Sequence, residues 1–455
     1  MSTPLSFEKL KQYVQDGTVD TVITAIADMQ GRLMGKRFQA EFFLDAAWDE
    51  THCCKYLLAT DMAMNTVSGY RSTSWEAGYG DYIMKADLQT LRLLPWAEGT
   101  AFVMCDVIDH HSHEAVAVSP RAILQKQLER TAHMGHKTAV ASELEFFVFT
   151  QSYDDLRDSN YQTLTPISSY NEDYHLFQTA KEESLMRAIR TGLQGAGIRV
   201  ENTKGEAEAG QAEINVYYAD ALTTADNHCL IKQAIKEIAF QQGKSVTFMA
   251  KWHHQRAGSS SHLHQSLQDA AGRSAFYDET APHGMSQTMQ HYLAGLLKYA
   301  PDITLALAPY VNSYKRFAAD TFAPTTCAWG IDNRTAGFRL IGENTKNVRI
   351  ECRIGGADLN PYLAIAANLA AGLAGIEEKL ELSPAFEGNG YSEQGLPRIP
   401  THLRAAIQHF DNSQMLRTAW GDEVVDHYVR AASWEQAHFD SIVSDYERQR
   451  GLEQN

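Results

Sequence analysis

The sequence has six cysteines, Cys53, Cys54, Cys105, Cys229, Cys327 and Cys352, but no Cys-x-x-Cys pair and no regular spacing among them. That excludes a disulfide framework or a thiolate zinc site and fits reduced thiols. No run reaches the roughly 18 uninterrupted apolar residues of a membrane span. The most apolar helical pattern, Pro361 to Gly375, is Ala-rich and interrupted by Asn368, and reads as buried. Positive charge is scarce: 40 Lys and Arg against 56 Asp and Glu leave a net charge of -16, which argues against a nucleic-acid or anionic-membrane partner. There is no internal repeat and no low-complexity tract. The opening MSTPLSFEKLKQYV lacks a basic stretch followed by an apolar one, so a cytoplasmic protein without a leader is expected.

What is present is an ordinary globular composition over 455 residues, enough for two or three domains. Ser6 to Asp16 reads as a short helix stopped by Gly17. Val19 to Asp28 reads as a strand, and RLMGKRF after Gln30-Gly31 as its hairpin partner. Short β-like runs follow as far as TAFVMCDV, and the polar segment His110 to Glu114 marks a domain boundary. Its histidines His110, His111 and His113 read as solvated surface rather than metal ligands. Ser119-Pro120 starts a helix to about His133. Further helical patterns cover Ala180 to Leu193, Ala225 to Gln242, Ser286 to Tyr299, Pro361 to Leu380 and Asp422 to Arg448. Strands lie between them without regular βαβ alternation, so the class is α+β.

Asn333 to Arg353, NRTAGFRLIGENTKNVRIECR, gathers Arg334, Arg339, Lys346, Arg349 and Arg353, a cation density that demands anions. Alternation puts Arg349, Glu351 and Arg353 on one strand face and Val348, Ile350 and Cys352 on the other. A carboxylate between two guanidinium groups suits a metal ligand or a structural pair, and the flanking forks suit phosphate or carboxylate. The same pattern admits a solvated, salt-bridged edge strand.

Upstream, SELEFFVF places Glu143 and Glu145 on one strand face, a costly pair to bury without a cation. EAEAGQAEINVYY offers Glu206 and, after a Gly turn, Glu213; SSSHLHQS puts His262 and His264 on one face behind Gly258 and three serines. Oxygen ligands with one imidazole favour Mg²⁺ or Mn²⁺ over zinc. Phosphoryl transfer is the chemistry that most needs such cations beside arginines. AGSSSH is not a P-loop, since it lacks GxxxxGK[ST], and an actin-like or kinase-like nucleotide fold is unsupported.

In order along the chain, ELEFF, GEAEAGQAEI, AGSSSHLHQS, SYKRF, NRTAGFRL and RIECR resemble the glutamine synthetase family, beginning with DMQGRLMGKRF. The resemblance implies a small N-terminal β-grasp domain, residues 1–114, and a catalytic domain, residues 115–455, whose antiparallel strands form a funnel surrounded by helices. It implies hexameric rings stacked as a dodecamer, with active sites between neighbouring subunits. By the same resemblance Glu145, Glu206 and Glu213 hold one metal and Glu143, His262 and Glu351 a second. Gly258, Arg316 and Arg353 hold glutamate. Glu201, His264, Ser266, Lys346 and Arg349 contact ATP, and Arg334 and Arg339 flank the transferring phosphoryl group as catalytic candidates. The implied substrates are L-glutamate, ATP and an amine. The γ-carboxylate takes the γ-phosphoryl group, and the acyl phosphate is then captured by the amine nitrogen.

Departures bear on the amine. Ammonium-using members carry a flap glutamate in a motif ending Glu-Ala-Pro, whereas this chain reads Asp320-Thr321-Phe322-Ala323-Pro324. The Asp-Gly-Ser-Ser loop that binds ammonium is replaced by Val67 to Trp75, VSGYRSTSW. A buried cation needs a compensating charge, so an amine bulkier than ammonia is expected, small and apolar, aromatic or alkyl. A polyamine, guided by Asp61, Glu76 and Asp81, is the alternative; ammonium itself and a catalytically retired relative are the others. The Tyr-Asp-Leu-Pro loop of adenylylated members reads Gln394-Gly395-Leu396-Pro397, so control at that tyrosine is not expected.

Overall fold

A computed structural model describes residues 5–454; the first four residues of the opening segment lie outside it. Two sheets organise the chain. The first is built from β1 (Thr21–Ala27), β2 (Leu33–Gln39), β3 (Thr51–Cys54), β4 (Asp81–Ala86), β5 (Arg92–Leu93) and β6 (Thr100–Asp109), in the order β2-β1-β6-β4-β3, with β5 also on β6. The hairpin foreseen at Gln30-Gly31 is present, Ala27 pairing with Leu33, while β1 and β6 run parallel. Helix Phe7–Gln15, capped by Ser6, covers a small core of Leu10, Val22, Phe43 and Val103.

The second sheet comprises β7 (Lys137–Phe149), β8 (Val200–Gly205), β9 (Gln211–Val216), β10 (Ser245–Thr247), β11 (Ser261–Gln268), β12 (Trp329–Ile331), β13 (Phe338–Ile341) and β14 (Arg349–Cys352). Its order is β12-β13-β14-β11-β7-β9-β8, with β10 on the far end of β7. Every pairing is antiparallel except β12 with β13, so the expected antiparallel funnel carries one parallel pair at its edge. β14 lies between β11 and β13, and Glu351 is 1% exposed. The solvated edge strand that its alternating charges also admitted is thereby overturned, because β14 is hydrogen-bonded along both edges.

Behind the sheet, helix Pro361–Glu377 is buried throughout its first 15 residues, and helix Gln287–Leu307 packs on it. The two backbones meet at Gly295 and Gly375, where a Cβ on Gly375 would stand 2.2 Å from the His291 carbonyl oxygen. Asn368, the one polar interruption, accepts a 3.0 Å hydrogen bond from Gln265 on the back of β11, and the Tyr292 hydroxyl donates to Gln265 at 2.7 Å. The helix layer thus fixes the strand that carries His262 and His264.

Boundaries agree closely for Pro120–His133. Helix Gln287–Leu307 runs two turns past the expected stop at Tyr299, passing through Pro301, because its lower half is buried and tertiary packing outweighs the missing N–H. The pattern Asp422 to Arg448 instead splits into Asp422–Ser441 and Asp445–Gln454. Ser444 and Glu447 form a reciprocal cap, the Ser444 N–H donating to Glu447 at 2.7 Å and the Glu447 N–H to Ser444 at 3.2 Å, which starts a new helix.

Candidate active site

Strand register alone brings the acidic and imidazole side chains together. His262 on β11 stands opposite Glu143 on β7, and Glu143 opposite Asn215 on β9. One step along, Glu145 faces Glu213, and Glu213 faces Lys204 on β8. On the other side Arg339, Glu351 and His264 line up across β13, β14 and β11. Since side chains alternate, these rows share one face of the sheet, while Leu144, Phe146, Leu263 and Ile350 point into the core.

Two donor clusters result. In the first, one carboxylate oxygen each from Glu145, Glu206 and Glu213 lie within 4.8 Å of one another. Glu145 accepts from the Ser260 N–H at 2.7 Å and from Gln211 at 3.2 Å, and Glu213 accepts from Asn215 at 2.7 Å. Burial, reinforced by Glu206, pushes the Glu145 carboxyl up to about 8; burial and the facing Glu143, Glu206 and Glu145 push Glu213 up to about 9. Mutually repelling carboxylates that resist ionisation fit a hard divalent cation, which would bind their charged forms.

The second cluster unites Glu143, His264 and Glu351 within the same 4.8 Å limit. His264 Nε2 lies 2.8 Å from Glu143, while His262 Nδ1 lies 2.9 Å from the other Glu143 oxygen and 3.4 Å from Glu351. Both imidazoles therefore border this cluster, although the resemblance reserved His264 for ATP. Alternation had already placed them on one face. Burial alone would raise the Glu143 carboxyl, yet the two rings hold it far below its usual range. Burial likewise acts against Glu351 as an anion, and His262 and Arg353 outweigh it. Burial first, and then the Arg353 charge, lower the His262 imidazole from its ordinary value and so disfavour its protonation, and its Nε2 is buried without a partner among the described residues. An imidazole kept neutral retains the lone pair a metal requires.

The arginines divide by burial. Arg353 donates to Glu351 at 2.6 Å and to the Phe322 carbonyl at 3.4 Å, and its Nε is buried without a partner among the described residues. Arg339 donates to Glu351 at 3.0 Å and, through Nε, to Asp332 at 2.9 Å. Arg316 is buried, its fork spent on Ser260 and on the carbonyls of Ile354 and Arg353, and it packs against Gly258. Arg349 reaches His264 Nδ1 at 3.4 Å, and Ser266 follows on the same strand face. Arg334 and Lys346 are exposed. Glu201 is exposed at a bulge in β8 and forms no side-chain hydrogen bond or ion pair among the described residues, outside both clusters.

Phe322 sits at the tip of the flap with φ +57° and is 59% exposed. Its ring borders a hollow walled by Ile331, Ala385 and Phe386 and rimmed by Asp332, Arg334 and Glu387. Tyr391 donates to the Ala323 carbonyl at 3.1 Å, holding the flap from behind. Sequence reasoning missed Asp332, Tyr391 and Lys204. None belongs to a charged alternation or a clustered motif, and only the tertiary fold shows their partners.

A family model described as the glutamine synthetase catalytic domain matches residues 117–451. The chain belongs to the glutamine synthetase family. The gamma-glutamylethanolamide synthetase GlnA4 of Streptomyces coelicolor is 48% identical over 451 residues, 99% of this chain and 96% of that protein. The glutamate–isopropylamine ligase of a Pseudomonas species is 36% identical, covering 98% of this chain and 97% of its own length. A solved GmaS/ADP complex superposes with a TM-score of 0.85 at 26% identity, over 97% of this chain and 99% of that one. The relatives thus include both glutamate–amine ligases and glutamine synthetases, ATP-dependent enzymes that form C–N bonds. Divalent cations supply charge neutralisation of phosphates in this family, and the two oxygen-rich clusters fit that demand.

Proposed function

We propose that this glutamine synthetase relative joins the γ-carboxylate of L-glutamate to a short primary amine other than ammonia, by way of γ-glutamyl phosphate. Phe322 carries the reading. A ring stands where a proton-accepting acid would, and the hollow beside it is walled in part by Ile331, Ala385 and Phe386 and in part by Asp332, Arg334 and Glu387. An ammonium ion has no apolar group to set against the ring, whereas an alkyl or aryl amine gains apolar contact. The names of two relatives, specifying ethanolamide and isopropylamine, support an amine of this size. Aniline, largely neutral near pH 7, belongs to the same class. For a polyamine, Asp332 on the rim is already held by Arg339 while Glu387 remains for a distal ammonium, and Asp61, spent on the Ala63 and Asn65 N–H groups, lies beside a different cavity.

The chain's residues divide the work as follows. Gly258, Arg316 and Arg353 frame glutamate, the free Arg353 Nε offering a donor to a carboxylate. Arg334 and Arg339 face the transferring phosphoryl group. His264, Ser266, Lys346, Arg349 and Glu201 are assigned to ATP. Glu145, Glu206 and Glu213 would hold one Mg²⁺ or Mn²⁺, and Glu143, His262 and Glu351 the second, with His264 beside it. Phe322 closes on the amine. We further propose a cytoplasmic homo-oligomer of stacked hexameric rings with sites between subunits, which light scattering of the purified chain tests directly.

The deciding experiment follows ADP release with glutamate, ATP and Mg²⁺ against ethanolamine, isopropylamine, aniline, putrescine and ammonium. One of the first three should give the highest kcat/KM. Preference for ammonium or putrescine would overturn the reading of Phe322, and no ADP release with any amine would overturn the ligase itself.

A further inference from the structure

Lys204 lies among the carboxylates that the family resemblance assigns to one metal. It stands on β8 directly opposite Glu213, its Nζ is bonded to a Glu206 carboxylate oxygen, and the same nitrogen lies 3.2 Å from the Gly205 carbonyl. On its other side Asp173 is 3.3 Å away, and the Tyr174 ring caps the ammonium with its centroid at 4.5 Å. The side chain is 19% exposed. Three carboxylates thus have one built-in cation, and that cation has a second anionic partner outside the cluster.

We propose that Lys204 is a positioning residue that acts as an exchangeable counter-ion: its ammonium neutralises the Glu145–Glu206–Glu213 cluster and moves to Asp173 when a divalent cation takes those carboxylates. The inference rests on the metal reading of this cluster and adds a competitor to it. Physically, a metal bound to Glu206 claims the oxygen that the ammonium holds, and like charges so close repel. Asp173, already 3.3 Å from the same nitrogen, keeps the displaced ammonium paired. The Tyr174 ring lies over the ammonium, and its π-face favours a cation beside it. Lysine suits the role better than arginine, since a point charge on a flexible stem changes partners without realigning a planar fork.

Metal affinity, which a merely structural lysine would not improve on removal, provides the test. Mn²⁺ binding to the full chain, without nucleotide or glutamate, is measured by electron paramagnetic resonance of free Mn²⁺. Lys204→Met should bind Mn²⁺ more tightly by roughly fivefold or more, as expected when a ligand no longer competes with a coupled group. Lys204→Gln, which keeps a polar head, checks that the change is not a packing artefact and should behave alike. Asp173→Asn should weaken Mn²⁺ binding in the presence of Lys204, having removed the place to which the ammonium moves. In the Lys204→Met background Asp173→Asn should have no effect, because the two act through one exchange.

Unchanged or weaker Mn²⁺ affinity in both Lys204 variants overturns the proposal while leaving the metal reading intact. Equal weakening by Asp173→Asn in both backgrounds also overturns it, assigning Asp173 a direct electrostatic effect instead. No Mn²⁺ binding to the unaltered protein would overturn the metal reading and the role of Lys204 together.

Discussion

At the scale of single residues, geometry separates charge from shape. Arg353 carries one guanidinium N–H to Glu351 and keeps Nε buried and unpartnered among the described residues. Arg353→Lys retains the charge but removes the planar fork, so the bond to Glu351 survives while the donor left for substrate does not. The expected outcome is a fall in kcat/KM for glutamate of about 100-fold, on the order of the 1.5–3 kcal/mol that a charged hydrogen bond contributes. KM for ATP should move far less; steady-state kinetics varying each substrate check both. Phe322→Glu asks a different question at a position whose backbone conformation, φ +57°, is equally strained for either residue. Restoring an acid should lower kcat/KM for aniline by about tenfold, since a neutral apolar amine then desolvates a carboxylate. Use of ammonium should rise a few-fold, because a base is again at hand to take its proton. A Phe322→Glu enzyme with unaltered amine preference would remove the flap from any account of specificity.

At the scale of elements, most of the site was legible because it is written in period two. Glu143 and Glu145, Glu213 and Asn215, His262 and His264, and Arg349, Glu351 and Arg353 each share a strand face by alternation, and the observed register sets those faces side by side. What alternation does not convey is which strands are interior. The charged face of β14 resembled a solvent edge, whereas the strand is interior and its Glu351 belongs to the second cluster. Nor does it convey partners contributed by loops, such as Asp173 to Lys204 or Asp332 to Arg339. Glycine shows the same limit. Gly258 was singled out from the motif, but its physical reason appears only in the fold: a Cβ there would stand 2.7 Å from both the Ala250 carbonyl oxygen and Arg316 Cγ. Gly258→Ala must therefore displace a buried guanidinium that braces Ser260 and the end of β14. We expect a loss of about 1–3 kcal/mol in stability. A rise in KM for glutamate should accompany it, measured by chemical denaturation beside kinetics. Wild-type values in both would show that Arg316 moves freely and does not brace the site.

At the scale of the whole molecule, the catalytic face stores repulsion that the rest of the protein has to hold. The joint between the first sheet and the helices behind the second is itself ionic: Arg121, 2% exposed, donates to Asp87 at 2.6 Å and to Asp226 on helix Ala221–Gln241 at 3.1 Å and also pairs with Asp106 on β6. There, anions from both parts of the chain share a cation that the sequence supplies. In the Glu145–Glu206–Glu213 cluster the supply falls short: among the described residues Lys204 is the one cation paired with a cluster carboxylate, and burial keeps Glu145 up at about 8 and Glu213 at about 9 where an ordinary glutamate stands at 4.5. Between those limits the folded protein holds protons that the unfolded chain has released, so stability falls as pH rises. The contribution of these two groups is fully present below about pH 4.5 and is lost as pH rises through 8 and 9. A divalent cation takes the ionised forms and so reverses the trend, binding better as pH rises. Without metal, the thermal midpoint should drop by roughly 3 °C or more between pH 6 and pH 9. Saturating Mn²⁺ should raise it more at pH 8.5 than at pH 6. Glu213→Gln, which cannot ionise, should flatten the metal-free slope and shrink the Mn²⁺ shift at pH 8.5, as followed by scanning fluorimetry in chelator-treated and Mn²⁺-supplemented buffers. A Mn²⁺ shift independent of pH, or a slope unchanged by Glu213→Gln, would mean that these carboxylates are ionised before the metal arrives, and that the repulsion is relieved elsewhere in the fold.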